Sequence, residues 1–66
     1  MIKEGATFYY VTPRFFTKNH VSHKEFVELP YEFHEKDMHY YKKECMFTNE
    51  KKAKKYAKKL TIEQGY

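Results

Sequence analysis

Residues 6–12 read Ala-Thr-Phe-Tyr-Tyr-Val-Thr, a run of β-branched and aromatic side chains bounded by Gly5 and Pro13. That composition predicts a first strand. Arg14, Phe15, Phe16 and Thr17 extend it past a bulge or kink at Pro13, because proline cannot donate to a ladder. Lys18-Asn19 predicts a turn, since Asn tolerates left-handed backbone. Residues 20–29 alternate loosely, with Val21, Val27 and Leu29 on one parity and Phe26 on the other. They predict a second strand, antiparallel to the first and ended by Pro30. Residues 31–37 form a polar and aromatic connection with room for a turn of helix. Residues 38–47 predict a third strand. His39, Tyr41, Cys45 and Phe47 share one parity, and Met38, Tyr40 and Met46 the other, so both of its faces carry large side chains.

The period then changes. Ala53, Tyr56, Ala57 and Leu60 recur at i, i+3, i+4 and i+7, one apolar stripe of a helix. Thr48 is the expected cap, and Glu50 suits the positive end of the helix dipole. Lys51, Lys52, Lys54, Lys55, Lys58 and Lys59 fill the remaining faces. Thr61 and Ile62 predict fraying after residue 61, with Gly65 a late stop. The expected fold is α+β: a three-stranded antiparallel sheet with one C-terminal helix packed on one face, in the order β-β-β-α.

Sixty-six residues allow a single domain, 1–66. A chain of this size buries only about 60% of its unfolded surface, so its core must be dense. A lone cysteine, Cys45, rules out an internal disulfide and fits a reducing compartment. Seven Tyr and six Phe must therefore supply the core. A formal charge of +4 favours an anionic partner: nucleic acid, an acidic protein face or an anionic membrane. No apolar run approaches the roughly 18 residues of a membrane span, and the first residues lack a signal-peptide stretch. The expectation is a soluble, intracellular, complete small protein with no membrane association.

The candidate chemistry is thin. His20-x-x-His23, His34, His39 and Cys45 hold the residue types of a zinc site. On a strand, however, His20 and His23 point to opposite faces, and no Cys-x-x-Cys accompanies them. No metal or other cofactor is expected. Cys45 lies on the same parity as Phe47, where a free thiol behaves as a small hydrophobe. With only Gly5 and Gly65 there is no glycine-rich phosphate loop, and one sheet with one helix leaves little room for a preorganised pocket. No catalytic residues are assigned, and the expectation is a protein that is not an enzyme.

Binding fits the residues better. One helix covers one face of such a sheet, which leaves the other face solvated or occupied by a partner. Tyr9 or Tyr10, Phe26, Tyr40 and Met46 are candidates for that face, flanked by Arg14, Lys24, Lys42 and Lys43. Together with the loops, the partner-binding set is Tyr9, Tyr10, Arg14, Phe15, Phe16, Tyr31, Phe33 and Tyr40. Tyr and Arg are enriched in protein hot spots. Aromatics beside cations also stack bases and hold phosphates. The alternative of nucleic-acid binding would use Lys42, Lys43, Lys51, Lys54, Lys55 and Lys58. Two plainer readings stand beside these. The rings complete a two-sided small core, and the lysine face is merely solvated. A third functional reading is a homodimer that pairs open sheet edges.

The join Met46-Phe47-Thr48-x-Glu50-x-x-Ala53, followed by a lysine-rich helix ending at Leu60, resembles a pattern in small phage and prophage proteins of Gram-positive bacteria. Tyr9-Tyr10-Val11 is similar to their first strand. Lys51 and Lys52 depart from the acidic pair usual after the glutamate. The resemblance implies an accessory protein in the cytoplasm of a bacterial host. Such a protein would bind and modulate, typically inhibit, a host or defence protein or its nucleic-acid complex, as anti-CRISPR proteins do. It implies no active-site residues.

Overall fold

Aromatic and β-branched content carries the first two strands further than their prolines suggest. The computed structural model describes residues 2–66. Strand β1 (Thr7–Lys18) and strand β2 (Val21–Glu32) pair in antiparallel register without interruption, from Thr7 opposite Glu32 to Lys18 opposite Val21. Short 3-10 turns follow at Glu35–Tyr40 and Lys43–Cys45, then strand β3 (Met46–Phe47) and helix α1 (Glu50–Gln64). The sheet order is β2-β1-β3. This is an α+β fold, a three-stranded antiparallel sheet with one C-terminal helix packed against it.

Asn19 and His20 form the turn of the hairpin, with φ of 52° and 64°. Two left-handed residues at a two-residue loop match the twist of the flanking strands. The turn thus lies one residue later than Lys18-Asn19, and β2 begins at Val21 rather than His20.

Both prolines are accommodated by the same geometry. The amides of Lys24 and Phe26 bond away from β1, to the Tyr66 carbonyl at 2.7 Å and the Thr61 hydroxyl at 2.8 Å. Their partners Phe15 and Pro13 therefore belong to non-hydrogen-bonded pairs, as does the pair Tyr9 and Pro30 of the same parity. Each proline lacks a donor only where the strand faces outward. Hence no bulge forms at Pro13, and β2 does not end at Pro30.

Pro13 also limits the third strand. Tyr9 pairs with Phe47 and Tyr10 with Met46. A strand over residues 38–47 in that register would bring Lys43 opposite Pro13, on the side where the proline has no N–H. Only Met46 and Phe47 pair, and the preceding residues coil into 3-10 turns. One of their amides, that of Lys42, bonds to the Tyr10 hydroxyl at 3.1 Å instead of to backbone.

Helix α1 lies on the face of β1 that carries Tyr9 and Val11. Val11, Ala53 and Ala57 are buried there, with Tyr9, Phe26, Cys45, Phe47, Tyr56 and Leu60 packed around them. Alanines at the contact bring the helix backbone close to the sheet. Asn49, not Thr48, caps α1, its Oδ1 accepting from the amides of Lys51 at 2.9 Å and Lys52 at 3.3 Å. Asn49 is the better cap by preference.

Nor does α1 fray after residue 61. The Thr61 hydroxyl accepts from the Phe26 amide and donates to the Ala57 carbonyl at 2.9 Å. Beyond the helix, Tyr66 and Lys24 exchange both backbone bonds, at 2.7 and 3.0 Å. A β-carbon at Gly65 would meet two carbonyl oxygens there, that of Lys24 at 2.7 Å. Thr61→Val keeps the shape but leaves the Phe26 amide unpartnered, for an expected loss of about 1–3 kcal/mol. A lower urea midpoint with unchanged slope, and faster amide exchange at Phe26, will show it. An unaltered midpoint would mean that the clamp does not contribute.

The other face of the sheet carries a second small core. Phe8 is fully buried and Phe33 nearly so. The Phe8 ring meets Tyr41 at 5.2 Å, Phe33 and Tyr31 at 6.1 Å, and Tyr10 at 6.5 Å, mostly edge to face. Tyr41 closes the group, 4.9 Å from Tyr10. The 3-10 connection thus replaces the expected strand by delivering one ring.

Candidate functional site

Twelve residues at about 3.4 Å each make strands roughly 40 Å long, and the molecule measures 42 × 21 × 15 Å. The hairpin therefore runs the whole length, while its supports cover only part of it. Under the Phe8 face the rings stop at the pair Tyr10 and Leu29. On the helix side, cover continues to Lys24. The distal hairpin is an arm, and its two faces differ.

Facing away from α1, the cross-strand pairs in order are Tyr10 with Leu29, Thr12 with Val27, Arg14 with Glu25, Phe16 with His23, and Lys18 with Val21. Phe16 and His23 stack, with centroids 5.2 Å apart and planes 20° apart. Arg14 lies 3.8 Å from Glu25. Phe16 and Leu29 are exposed at 37% and 40%, and Val21 at 55%. Apolar rings and aliphatics alternate with one solvent-exposed ion pair, an arrangement of low intrinsic worth to the fold.

The eight partner-binding candidates do not gather in one place. Arg14 and Phe16 share the open face of the arm, and Phe15 points to the opposite face. Tyr10, Tyr31 and Phe33 belong to the ring cluster around Phe8. Tyr9 turns towards α1, where the Glu50 carboxylate beside it raises its hydroxyl above the usual tyrosine range. Tyr40 sits on a 3-10 turn against His39, with centroids 4.1 Å apart, and is 72% exposed. Phe26 packs against the helix-side core instead of the open face, whereas Met46 does lie opposite the helix. His23, Val27 and Leu29 join the open face through the register alone, which single-residue patterns do not reveal.

Among the lysines, Lys54 is held by Glu50 at 3.0 Å. Among the described residues, no salt bridge involves Lys51, Lys52, Lys55, Lys58 or Lys59. Their spacing creates like-charge i,i+4 pairs at 51/55, 54/58 and 55/59, each costing about 0.2–0.5 kcal/mol. Lys51 and Lys52 occupy the first turn, and no base occupies the last. That is the reverse of what the helix dipole favours. Helix stability does not explain this face. Lys42 and Lys43 lie apart from it, at the second 3-10 turn.

A cavity of about 490 Å³ opens beside the Phe33 ring, lined by Ile2, Glu4, Met38, Lys43 and Met46 among others. Its carboxylate Glu4 is already engaged, by His34 Nδ1 at 2.6 Å and by the Glu35 amide at 2.8 Å. The Glu35 amide and then His34 hold Glu4 below the usual carboxylate range, and Glu4 raises His34 above the usual histidine range. This is a tether between Glu4 and the residues that follow β2. Cys45 is half-buried against the core, and burial raises its thiol pKa, which disfavours the reactive thiolate. Among the described residues, no group of three or more His, Cys, Asp or Glu side chains could hold a metal ion. No described helix is long and apolar enough to cross a membrane.

Compared with protein-family models, curated proteins and solved structures, the chain matches none.

Proposed function

We propose that this protein acts by binding rather than catalysis, using the open face of the arm to engage a partner protein. The observation that carries the reading is the open stretch from Leu29 to Val21 on a continuously paired hairpin. There Phe16, Val21, Val27 and Leu29 surround the Arg14–Glu25 pair. Aromatic, aliphatic and arginine side chains on one preformed surface are the usual anchors of a protein interface, and a paired strand loses little entropy on docking. The resemblance to phage accessory proteins supplies the setting. The partner is then a host or defence protein in the bacterial cytoplasm, alone or complexed with nucleic acid, and binding inhibits it.

The test compares wild type with Arg14→Glu/Phe16→Ala and with Tyr40→Ala, each immobilised and exposed to bacterial lysate. The expected result is a partner retained by wild type and Tyr40→Ala and lost by the arm variant, with the circular dichroism of all three alike. An identical set of captured proteins for the arm variant would sink this assignment of the face.

A further inference from the structure

We propose a second binding surface on the opposite side of the molecule: a track for single-stranded nucleic acid, made by the outer face of α1 and a row of side chains past its C-terminal end. It does not rest on the protein-partner reading and uses none of that face.

Charge is the first observation. Helix α1 carries six lysines and two glutamates, while the rest of the chain balances seven bases with seven acids. The whole net charge of +4 therefore sits on one helix. Lys51, Lys55, Lys58 and Lys59 point away from the Ala53–Ala57 contact. At 1.5 Å per residue they span about 12 Å of the helix axis. Their crowding and the place of Lys51 in the first turn disfavour the helix by itself, and a row of phosphates would relieve both.

The second observation is independent. Phe15 lies opposite Lys24 across the hairpin, and Lys24 exchanges both backbone bonds with Tyr66. Residues paired in this way share a face, so Phe15, Lys24 and Tyr66 form one row across the arm. The row begins where α1 ends, on the same side of the sheet as α1. Phe15 and Tyr66 are each 66% exposed, and the Lys24 ammonium lies 6.0 Å from the Phe15 ring centroid. Two open rings flanking a cation, in line with a lysine face, match the stacking platform and charged groove of single-strand binders. A duplex keeps its base faces stacked and cannot use the rings. An anionic membrane needs an apolar stripe on the lysine helix, and the outward side of α1 offers only Ile62.

The measurement is fluorescence anisotropy with a labelled oligonucleotide of about 15 nucleotides, within the roughly 4–16 of single-strand sites, and with its duplex. We expect tighter binding to the single strand. The log–log salt slope should be near about −3, as four phosphate contacts at roughly −0.7 each require. Lys51→Gln/Lys55→Gln/Lys58→Gln/Lys59→Gln should flatten that slope. Phe15→Ala and Tyr66→Ala should each weaken binding by roughly 5- to 150-fold with the slope unchanged; both side chains are exposed, and the Tyr66 pairing is through backbone. Three results would each overturn the proposal: no binding at low salt, a duplex bound as tightly as the single strand, or aromatic variants that bind like wild type.

Discussion

Phe8→Ala is expected to leave the chain largely unfolded at 37 °C. Phe8 is the largest fully buried side chain among the described residues, ringed by Tyr10, Tyr31, Phe33 and Tyr41. Removing a buried phenyl costs about 3–5 kcal/mol, because transfer and cavity terms add. A domain of this size holds only about 3–10 kcal/mol in total, at roughly 0.05–0.15 per residue. The ring cluster is also a network: without Phe8, Tyr41 loses one of its three ring contacts, and the 3-10 connection that carries it is held less firmly. Thermal unfolding followed by far-ultraviolet circular dichroism should show the melting temperature falling by more than about 12 °C, taking roughly 4 °C per kcal/mol. Near-ultraviolet tyrosine signal should fall with it. A shift of only a few degrees would mean that the cluster is peripheral and the helix-side core carries the fold alone.

Ala53→Leu should destabilise the protein although it adds hydrophobic volume. Ala53 is fully buried, and with Ala57 it sets how closely α1 approaches Val11. Leucine is nearly as good a helix former as alanine, so helix propensity does not decide the outcome. Three further carbons at a closed contact force strained rotamers or lift the helix, at about 1–3 kcal/mol. Lifting α1 would also loosen the Thr61 clamp on Phe26, so amide exchange at Phe26 should rise together with the fall in urea midpoint. A stabilised variant would show that the contact holds unfilled space.

How much of this could be read beforehand differs by element. The helix was legible because Ala53, Tyr56, Ala57 and Leu60 satisfy one period over two turns, and the hairpin because residues 6–29 are β-branched and aromatic around a turn-forming Asn. The third strand was misread for a physical reason. Pro13, thirty residues before Lys43, offers no N–H to a longer β3 at that position, and no local pattern reports that. Thr48 and Asn49 are both capping residues, and the one with the stronger preference takes the position. The sides taken by Tyr9, Tyr10 and Phe26 follow from cross-strand register, as does the grouping of His23, Val27 and Leu29 with Arg14 and Phe16. The candidate site was thus visible as residue types and invisible as a surface.

The left-handed Asn19–His20 turn has a consequence beyond closing the hairpin. Side chains on a strand alternate, so sliding one strand by a single position exchanges its faces. The turn's length keeps Phe16 beside His23 and Phe15 beside Lys24. A loop one residue longer that slid β2 against β1 would leave the composition, charge and aromatic count of the arm almost untouched. It would nevertheless turn β2 over relative to β1, and bring either Phe15 beside His23 or Phe16 beside Lys24. The sidedness of this molecule, on which both proposed binding faces depend, is thus stored in the length of a two-residue loop.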